Sequence, residues 1–408
     1  MNQTDVLNAK ESLSEFQPAD LRNKFLELYH QEPLVVRSPG RINLIGEHTD
    51  YNEGFVMPAA IDREILVGIS SAQGPKATLY SVKHDETVTF DVNNPEKVEN
   101  PAWANYLLGV VRQFVDKGYD LKPFHAIIGG NVPTGAGLSS SAALECGFAF
   151  AVDQLHGFQV PKLDLIHMAQ WAEHHYVGVK CGIMDQFSSM MGAAGQAFVL
   201  DCRSLSYRYF PVDLKDYTIV LCDTMVKHSL ANSAYNTRRS ECEKGVAILK
   251  EHYPAVRSLR DVTADMLQAH RDEFPGKVYD RCIYIVAENE RVLQASEDLA
   301  KGNLNAFGQR LYASHDGLSR LYEVSCLELD FLVDEAKKFG GVLGARMMGG
   351  GFGGCTINIV KKDRVNEFID TLKAAYQHTI HREMVGYVVA LKDGTSIVPL
   401  TAKEPSLL

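Results

Sequence analysis

Polar and ionisable side chains crowd into the short stretch from Arg37 to Tyr51, which glycine and proline interrupt. Four of its members are consecutive, namely Glu47, His48, Thr49 and Asp50. Two carboxylates three positions apart can accept hydrogen bonds from adjacent hydroxyls of a sugar, and a nearby arginine such as Arg41 can hold an anionic group. The stretch therefore predicts a sugar-binding site, with a solvated loop of local ion pairs as the alternative.

A second segment combines small residues, hydroxyls and the expected start of a helix. It consists of Gly135, Ala136, Gly137, Leu138, Ser139, Ser140 and Ser141. Small residues let backbone N–H groups approach an anion, and a helix N-terminus favours negative charge. The segment predicts phosphate binding, although it lacks the lysine of a Walker A loop and the third glycine of a dinucleotide fingerprint. A purely structural glycine-rich turn is the alternative.

Two further segments carry an acidic residue or dense glycine. Asp185 follows the glycine turn at Gly182 and lies among apolar neighbours, which makes it a candidate base, with a purely structural role as the alternative. Burial would favour the neutral form of this carboxyl, whereas a partner such as Arg41 would favour the ionised form. The run Gly349 to Gly354 is too rich in glycine for a helix or strand interior and predicts a loop whose backbone approaches another group closely. A flexible hairpin tip is the alternative.

Composition limits the class of protein. The chain has 408 residues, 46% of them hydrophobic and 23% charged, which is typical of a soluble globular protein with two or three domains. A net charge of −10 argues against nucleic-acid binding, and no apolar run approaches the roughly 18 residues of a membrane span. Eight widely spaced cysteines are typical of free thiols in a reducing cytoplasm. We expect a cytoplasmic protein.

Hydrophobic periodicity predicts mixed helices and strands, and hence an α+β fold. The first half is predicted to hold a helix from Leu7 to Gln31, a strand at Leu34 to Val36, a turn from Ser38 to Gly46, strands at Ile65 to Ser70 and Ala77 to Val82, and helices at Trp103 to Lys117, from Leu138, and at Lys162 to Val177. The pattern changes near residue 205, which predicts domains at 1–205 and 206–408. A cleft between them is the natural place for a site.

The segments Gly40 to Gly54, Gly135 to Ala142 and Gly349 to Gly354, in this order and at these intervals, resemble the three motifs of the GHMP small-molecule kinases. The first resembles a signature that, within this superfamily, belongs to the galactokinase family. The resemblance covers nearly the whole chain. It implies a ribosomal-protein-S5-like N-terminal domain and a C-terminal α+β domain, with the active site between them.

The resemblance also implies a reaction and its participants. ATP would give its γ-phosphate to the C1 hydroxyl of α-D-galactose, the first committed step of galactose catabolism by the Leloir pathway. The loop Gly135 to Ser141 would wrap the ATP phosphates, and Ser141 and Glu173 would hold Mg²⁺, which prefers oxygen ligands. The implied sugar ligands are Glu47, His48, Thr49, Asp50, Gly182 and Tyr235. Arg41 and Asp185 would flank the C1 hydroxyl, with Asp185 as the base.

Two alternatives of different kinds remain open. A galactose sensor of the same fold would bind sugar and ATP without transferring phosphate, but such proteins lack part of the Ser/Ala stretch that is complete here from Ser139 to Ala143. A kinase for a related sugar, such as N-acetylgalactosamine or galacturonate, is compatible with the segment from Glu47 to Asp50. The expected partners are small-molecule substrates, with no obligate protein partner evident.

Overall fold

The computed structural model describes residues 16–227 and 231–399. Its largest sheet has six strands in the order β13-β1-β3-β6-β4-β5. These strands are β1 (Leu34–Asn43), β3 (Pro58–Ser71), β4 (Ala77–Ser81), β5 (Glu86–Phe90), β6 (Phe124–Gly130) and β13 (Ser396–Ile397). Neighbouring strands are antiparallel except β4 and β6, which are parallel. Because β13 pairs with β1, the C-terminal part of the described chain returns to the first sheet.

Helices cover this sheet and carry much of the site. They are α1 (Pro18–Tyr29), α2 (Ala104–Asp116), α3 (Ser140–His156), α4 (Lys162–Ala172) and α5 (Met184–Met191). The helix α3 packs on β1 and β3, and its apolar residues share one core with those of α2, α4 and α5. A π-helical turn, Glu173–Val177, extends α4. The start of α3 and the first turn of α5 are thereby held next to β1.

Two more sheets complete the molecule. A four-stranded antiparallel sheet has the order β10-β11-β9-β12, and a three-stranded sheet has the order β2-β7-β8. Their strands are β2 (Phe55–Val56), β7 (Gln196–Asp201), β8 (Tyr207–Pro211), β9 (Tyr217–Lys227), β10 (Val342–Met347), β11 (Gly353–Lys361) and β12 (Val385–Val389). The remaining described α-helices are α6 (Ala231–His252), α7 (Ala264–Ala269), α8 (Val278–Ala300), α9 (Leu304–Arg320), α10 (Leu327–Lys338) and α11 (Val365–Ile380).

A shared core joins the first sheet to the four-stranded sheet. Ile42 and Leu44, at the end of β1 and just after it, are completely buried in one cluster with Leu221 of β9 and Ile357 of β11. Burial of apolar side chains contributes roughly 25 cal/mol per Å² removed from water, so this contact fixes the two sheets against each other. The residues that follow β1 therefore lie at the junction of the two halves.

The structure confirms the α+β class and most predicted elements. The prediction of a turn from Ser38 to Gly46 is wrong for the residues up to Asn43. These residues continue β1, which pairs with β3. A register shift between Pro39 and Arg41 absorbs the glycine and proline that suggested a turn. The predicted helix from Leu7 begins outside the described residues, and α1 accounts for Pro18–Tyr29.

Two other expectations concern the whole molecule. All eight cysteines are free thiols, as their spacing predicted. Within residues 16–227 and 231–399, no helix is both long enough and apolar enough to cross a membrane. The domain boundary near residue 205 remains a prediction.

Candidate active site

Arg41 and Asp185 form an ion pair at the centre of the candidate site. Arg41 lies in β1 and is 4% exposed, whereas Asp185 lies in the first turn of α5 and is 26% exposed. The Nε and Nη2 atoms of Arg41 each lie 2.9 Å from Asp185 Oδ1. The third nitrogen, Nη1, donates a hydrogen bond to the carbonyl of Gly137. One guanidinium group thus connects the predicted base to the predicted phosphate loop.

The environment of Arg41 favours its charged form. Burial would lower the pKa of the guanidinium, but the nearby carboxylates of Asp185 and Glu47 outweigh burial and raise it above its usual value. A buried cation is tolerated only when it is paired and hydrogen-bonded. Arg41 therefore supplies a permanent positive charge beside Asp185.

The phosphate loop precedes α3 and has the backbone that anion binding requires. Gly135, Gly137 and Ser139 adopt positive φ angles of 80°, 73° and 56°. Any Cβ at Gly137 would lie 3.0 Å from the Met348 carbonyl oxygen, so the loop and the connection between β10 and β11 are in direct contact. A Cβ at Gly349 would lie 3.2 Å from the Gly137 carbonyl oxygen, which confirms the prediction that the run from Gly349 approaches another backbone. The N-terminus of the 17-residue helix α3 completes a surface that can bind phosphate.

Ser141 and Glu173 lie together at the end of this loop. The Ser141 hydroxyl donates a hydrogen bond of 3.1 Å to Glu173 Oε1, and Glu173 is buried at the start of the π-helical turn. Burial first, and then the negative charge of Asp185, raise the pKa of Glu173 to about 7. Both side chains offer hard oxygen donors, which is the chemistry that Mg²⁺ requires.

Glu47 is held by the four-stranded sheet and the glycine-rich connection. Its Oε1 accepts hydrogen bonds from Arg346 Nη2 at 3.1 Å and from the Gly349 amide at 2.7 Å. Arg346, in β10, is completely buried and also donates to the carbonyls of Asn43 and Leu44. The Glu47 carboxylate is thus fixed by residues about 300 positions away in the sequence.

His48 and Thr49 are occupied by contacts within the protein. His48 Nδ1 lies 2.8 Å from the Tyr51 hydroxyl, and Nε2 lies 3.2 Å from the Gly350 carbonyl oxygen. Burial lowers the pKa of His48 to about 3, so the ring is neutral, with the proton on Nε2 and Nδ1 as the acceptor. The Thr49 hydroxyl lies 2.9 Å and 2.6 Å from the carbonyl oxygens of Gly46 and Phe55.

Asp50, Gly182 and Tyr235 form the remaining wall of the predicted sugar site. A Cβ at Gly182 would lie only 2.0 Å from Asp50 Oδ2, so the carboxylate rests directly on the glycine. Tyr235 comes from α6, and its ring centroid lies 5.3 Å from that of His48. Burial, followed by the charge of Asp185, raises the pKa of Asp50 to about 7. A cavity of about 330 Å³ borders this wall at Asp50 and Gly182.

Away from this site, the side chains of His252, His270 and Glu273 lie close enough together to suggest a metal site, but they form hydrogen bonds with one another. His252 Nε2 and His270 Nδ1 lie 2.7 Å and 2.8 Å from the two carboxylate oxygens of Glu273. Two ligands on a tetrahedral zinc, with bonds of about 2.0–2.1 Å, would lie roughly 3.3 Å apart. The shorter spacing is that of hydrogen bonds.

Three residues at the site were not predicted from the sequence. Arg346 belongs to the apolar strand segment that precedes the glycine run. Glu145 belongs to the apolar helix segment and follows Ser141 by four residues. A charged residue within an apolar run is the signal that could have found both, because such residues are rarely buried unless paired. Gln186, next to Asp185, carried no such signal.

Comparison with known proteins identifies the family of this chain. Residues 23–71 match the galactokinase galactose-binding signature, residues 105–193 the N-terminal domain of GHMP kinases and residues 295–378 their C-terminal domain. The chain is 41% identical to the galactokinase of Roseiflexus sp. (strain RS-1) over 381 residues, which cover 93% of this chain and 97% of that protein. The chain belongs to the galactokinase family. It is therefore an ATP-dependent sugar kinase with the two-domain GHMP fold, and the family's reaction is the first committed step of the Leloir pathway.

Other relatives support the same assignment. The galactokinase of Thermotoga neapolitana is 42% identical over 360 residues, which cover 88% of this chain and 98% of that protein. The crystal structure of Lactococcus lactis galactokinase complexed with galactose is 37% identical and superposes with a TM-score of 0.89, covering 93% of this chain and 99% of that one. A mevalonate kinase structure at 17% identity and a TM-score of 0.62 shares the fold.

Gly182→Ala should weaken galactose binding without unfolding the protein. The new methyl group can be accommodated only if the Asp50 carboxylate moves, and a lost hydrogen bond to a charged group costs about 1.5–3 kcal/mol. We expect the galactose dissociation constant to rise roughly 10- to 100-fold by calorimetry. Gly74→Ala, where a Cβ meets no atom of the described residues within 4 Å, is the control. Unchanged galactose affinity would contradict the placement of Asp50 at the sugar.

Galactose affinity measured without nucleotide should fall as the pH falls through about 7. The raised pKa of Asp50 means that its carboxylate takes up a proton near pH 7 and then accepts fewer hydrogen bonds from sugar hydroxyls. Loss of one proton-dependent acceptor weakens binding by at most about tenfold per pH unit. The Asp50→Asn protein should bind more weakly with no such dependence between pH 6 and 8. A flat profile for the unmodified protein would refute this assignment.

Proposed function

We propose that this chain transfers the γ-phosphate of ATP to the C1 hydroxyl of α-D-galactose with Asp185 as the base and Arg41 as its partner. The observation that carries the proposal is the Arg41 guanidinium, which contacts both Asp185 and the Gly137 carbonyl of the phosphate loop. The acceptor hydroxyl of the sugar and the γ-phosphate of ATP would then both lie next to this one cation. The products are ADP and α-D-galactose 1-phosphate.

The phosphate loop would bind the nucleotide. Backbone N–H groups between Gly135 and Ser141, together with the N-terminus of α3, would neutralise part of the triphosphate charge. Contact with the connection between β10 and β11 supports this role, because it holds the loop in shape before ATP arrives. Phosphoryl transfer depends largely on such positioning and charge stabilisation.

The sugar would lie between the two halves of the molecule. Glu47, Asp50 and Tyr235 would contact its hydroxyls, with Gly182 forming the floor beneath Asp50. His48 and Thr49 would shape this pocket, since their polar atoms already have partners within the protein. The fixed Glu47 carboxylate and the fixed neutral ring of His48 support a pocket that is formed before galactose binds.

Asp185 would accept the proton of the C1 hydroxyl while the C1 oxygen of galactose attacks the γ-phosphorus of ATP. The new oxygen–phosphorus bond forms as the bond to the β-phosphate oxygen breaks and ADP leaves. Arg41 would stabilise the ionised carboxylate and the charge that develops on the transferred group. Two hydrogen-bonding nitrogens on one Asp185 oxygen leave the other oxygen of this carboxylate to accept the proton.

Ser141 and Glu173 would hold Mg²⁺. When bound, the ion neutralises charge on the phosphates of ATP. The adjacency of the hydroxyl and carboxylate oxygens at the end of the phosphate loop supports this pair as ligands.

The wider assignments follow from the sheets and the thiols. We propose a division near residue 205 into domains 1–205 and 206–408, because the strands of the four-stranded sheet all follow this point. Eight free cysteines support a reducing compartment, the cytoplasm, as the place where the enzyme works.

Asp185→Asn should lower kcat by several orders of magnitude while galactose still binds. The amide cannot accept the proton, but it keeps the size of the side chain. Mg²⁺-dependent ADP release with D-galactose, D-glucose, N-acetylgalactosamine and galacturonate measures the reaction, and calorimetry measures sugar binding. Asp164→Asn, an exposed acid in the first turn of α4, is the control.

The acceptor series also separates the alternatives. Turnover on galactose that is lost in Asp185→Asn supports the proposal, and near-normal turnover of that variant would refute Asp185 as the base. Turnover on another sugar alone would revise the pocket. Binding of galactose and ATP with no ADP formed would identify a sensor.

Ser141→Ala should raise the Mg²⁺ concentration needed for half-maximal activity. The variant loses one oxygen ligand, so we expect an increase of roughly tenfold or more with little change in galactose affinity. Ser296→Ala in α8, far along the chain from the loop, controls for the loss of a helix serine. An unchanged Mg²⁺ requirement would remove Ser141 from the metal site.

A further inference from the structure

A second layer of polar side chains lies directly behind Ser141 and Glu173. Glu145 follows Ser141 by four residues on α3 and so lies on the same face of this helix. Gln186 follows Asp185 on α5. Both side chains are completely buried. The reaction as proposed above uses neither of them.

Gln186 bridges two carboxyl groups. Its Nε2 donates a hydrogen bond of 2.7 Å to Glu173 Oε2 and one of 3.3 Å to Glu145 Oε2. Glu173 therefore has one oxygen directed at Ser141 and the other at Gln186. The Cys181 thiol also donates to Oε2, at 3.5 Å. Because the two oxygens of a carboxylate are otherwise equivalent, these different partners define the orientation of the group.

Stability alone does not explain these residues. Glu145 Oε1 and Gln186 Oε1 are buried and have no hydrogen-bond partner among the protein atoms of residues 16–227 and 231–399. A buried polar atom without a partner costs about 1–3 kcal/mol, and apolar residues of similar size would avoid this cost. The surrounding core of α3, α4 and α5 is apolar. A role in the site accounts for polar groups that the fold itself does not need.

We propose that Gln186 and Glu145 are positioning residues that orient the Glu173 carboxylate toward Ser141 and the phosphate loop. Gln186 donates a hydrogen bond to Oε2 of Glu173, and Glu145 accepts a hydrogen bond from the amide of Gln186. Because Gln186 is the neighbour of Asp185, the same short helix aligns the metal ligand and the base. The inference rests on the proposed role of Glu173 as a Mg²⁺ ligand.

The test measures metal binding apart from catalysis. Mn²⁺ binding in the presence of ADP is followed by electron paramagnetic resonance, galactose binding without nucleotide by calorimetry, and the melting temperature by scanning calorimetry. Gln186→Met removes the donor and keeps the length of the side chain. Loss of an outer hydrogen bond to a metal ligand typically weakens metal binding about 10- to 100-fold, and we expect this change with galactose affinity within about twofold.

Paired variants at Glu145 keep the test decisive if Gln186→Met does not fold. Glu145→Gln still accepts the hydrogen bond from Gln186 and should leave Mn²⁺ affinity within about threefold, whereas Glu145→Met should weaken it by about tenfold. Gln154→Met, at an exposed position of α3, is the matched control.

The outcomes separate this inference from the proposed function. If Glu173→Gln abolishes Mn²⁺ binding but Gln186→Met and Glu145→Met leave it unchanged, the positioning role is wrong and the metal assignment stands. If Glu173→Gln itself leaves Mn²⁺ binding intact, the metal assignment fails and the inference fails with it. Equal weakening of Mn²⁺ and galactose with a lower melting temperature would indicate a structural role and overturn the inference.

Discussion

The rest of the site depends on one buried positive charge, the guanidinium of Arg41. Removing such a group from water costs several kcal/mol unless its hydrogen-bond donors are satisfied. Arg41 meets this requirement with the Asp185 carboxylate and the Gly137 carbonyl, which come from α5 and from the phosphate loop. Pairing this cation therefore forces β1, the loop and α5 into one arrangement. The same contacts bring the proposed base next to the proposed phosphate loop.

The carboxylates that cluster around Arg41 repel one another, which is an electrostatic cost of this arrangement. Asp50, Glu173 and Asp185 lie close enough that the charge of Asp185 raises the pKa of the other two, after burial has already done so. Like charges in a buried site oppose one another. Cations and hydroxyl donors relieve this repulsion, so the site is electrostatically suited to a metal-bound nucleotide and a sugar. A second buried arginine, Arg346, performs a similar pairing for Glu47 from the other sheet.

Local patterns predicted much of the fold and the candidate site, but not the contacts between distant segments. Helical periodicity located α2 and α4, because the apolar face of a helix repeats within a few residues. The predicted turn at Ser38 failed because pairing with β3 overrides the local preference of glycine and proline. Gln186 was not predicted because its hydrogen bonds form only where α3, α5 and the π-helical turn meet, and that contact is not visible in the local sequence.

By itself, the sequence determined the α+β class, the family and the three segments that carry the chemistry, because residue types and short spacings are local properties. Only the tertiary structure decided which of those residues have free polar atoms. The family resemblance implied His48 and Thr49 as sugar ligands, and the structure shows that their side chains hydrogen-bond to Tyr51 and to backbone carbonyls. Each polar atom pairs with whatever the folded chain brings within about 3 Å, and that is set by packing between residues far apart in the sequence.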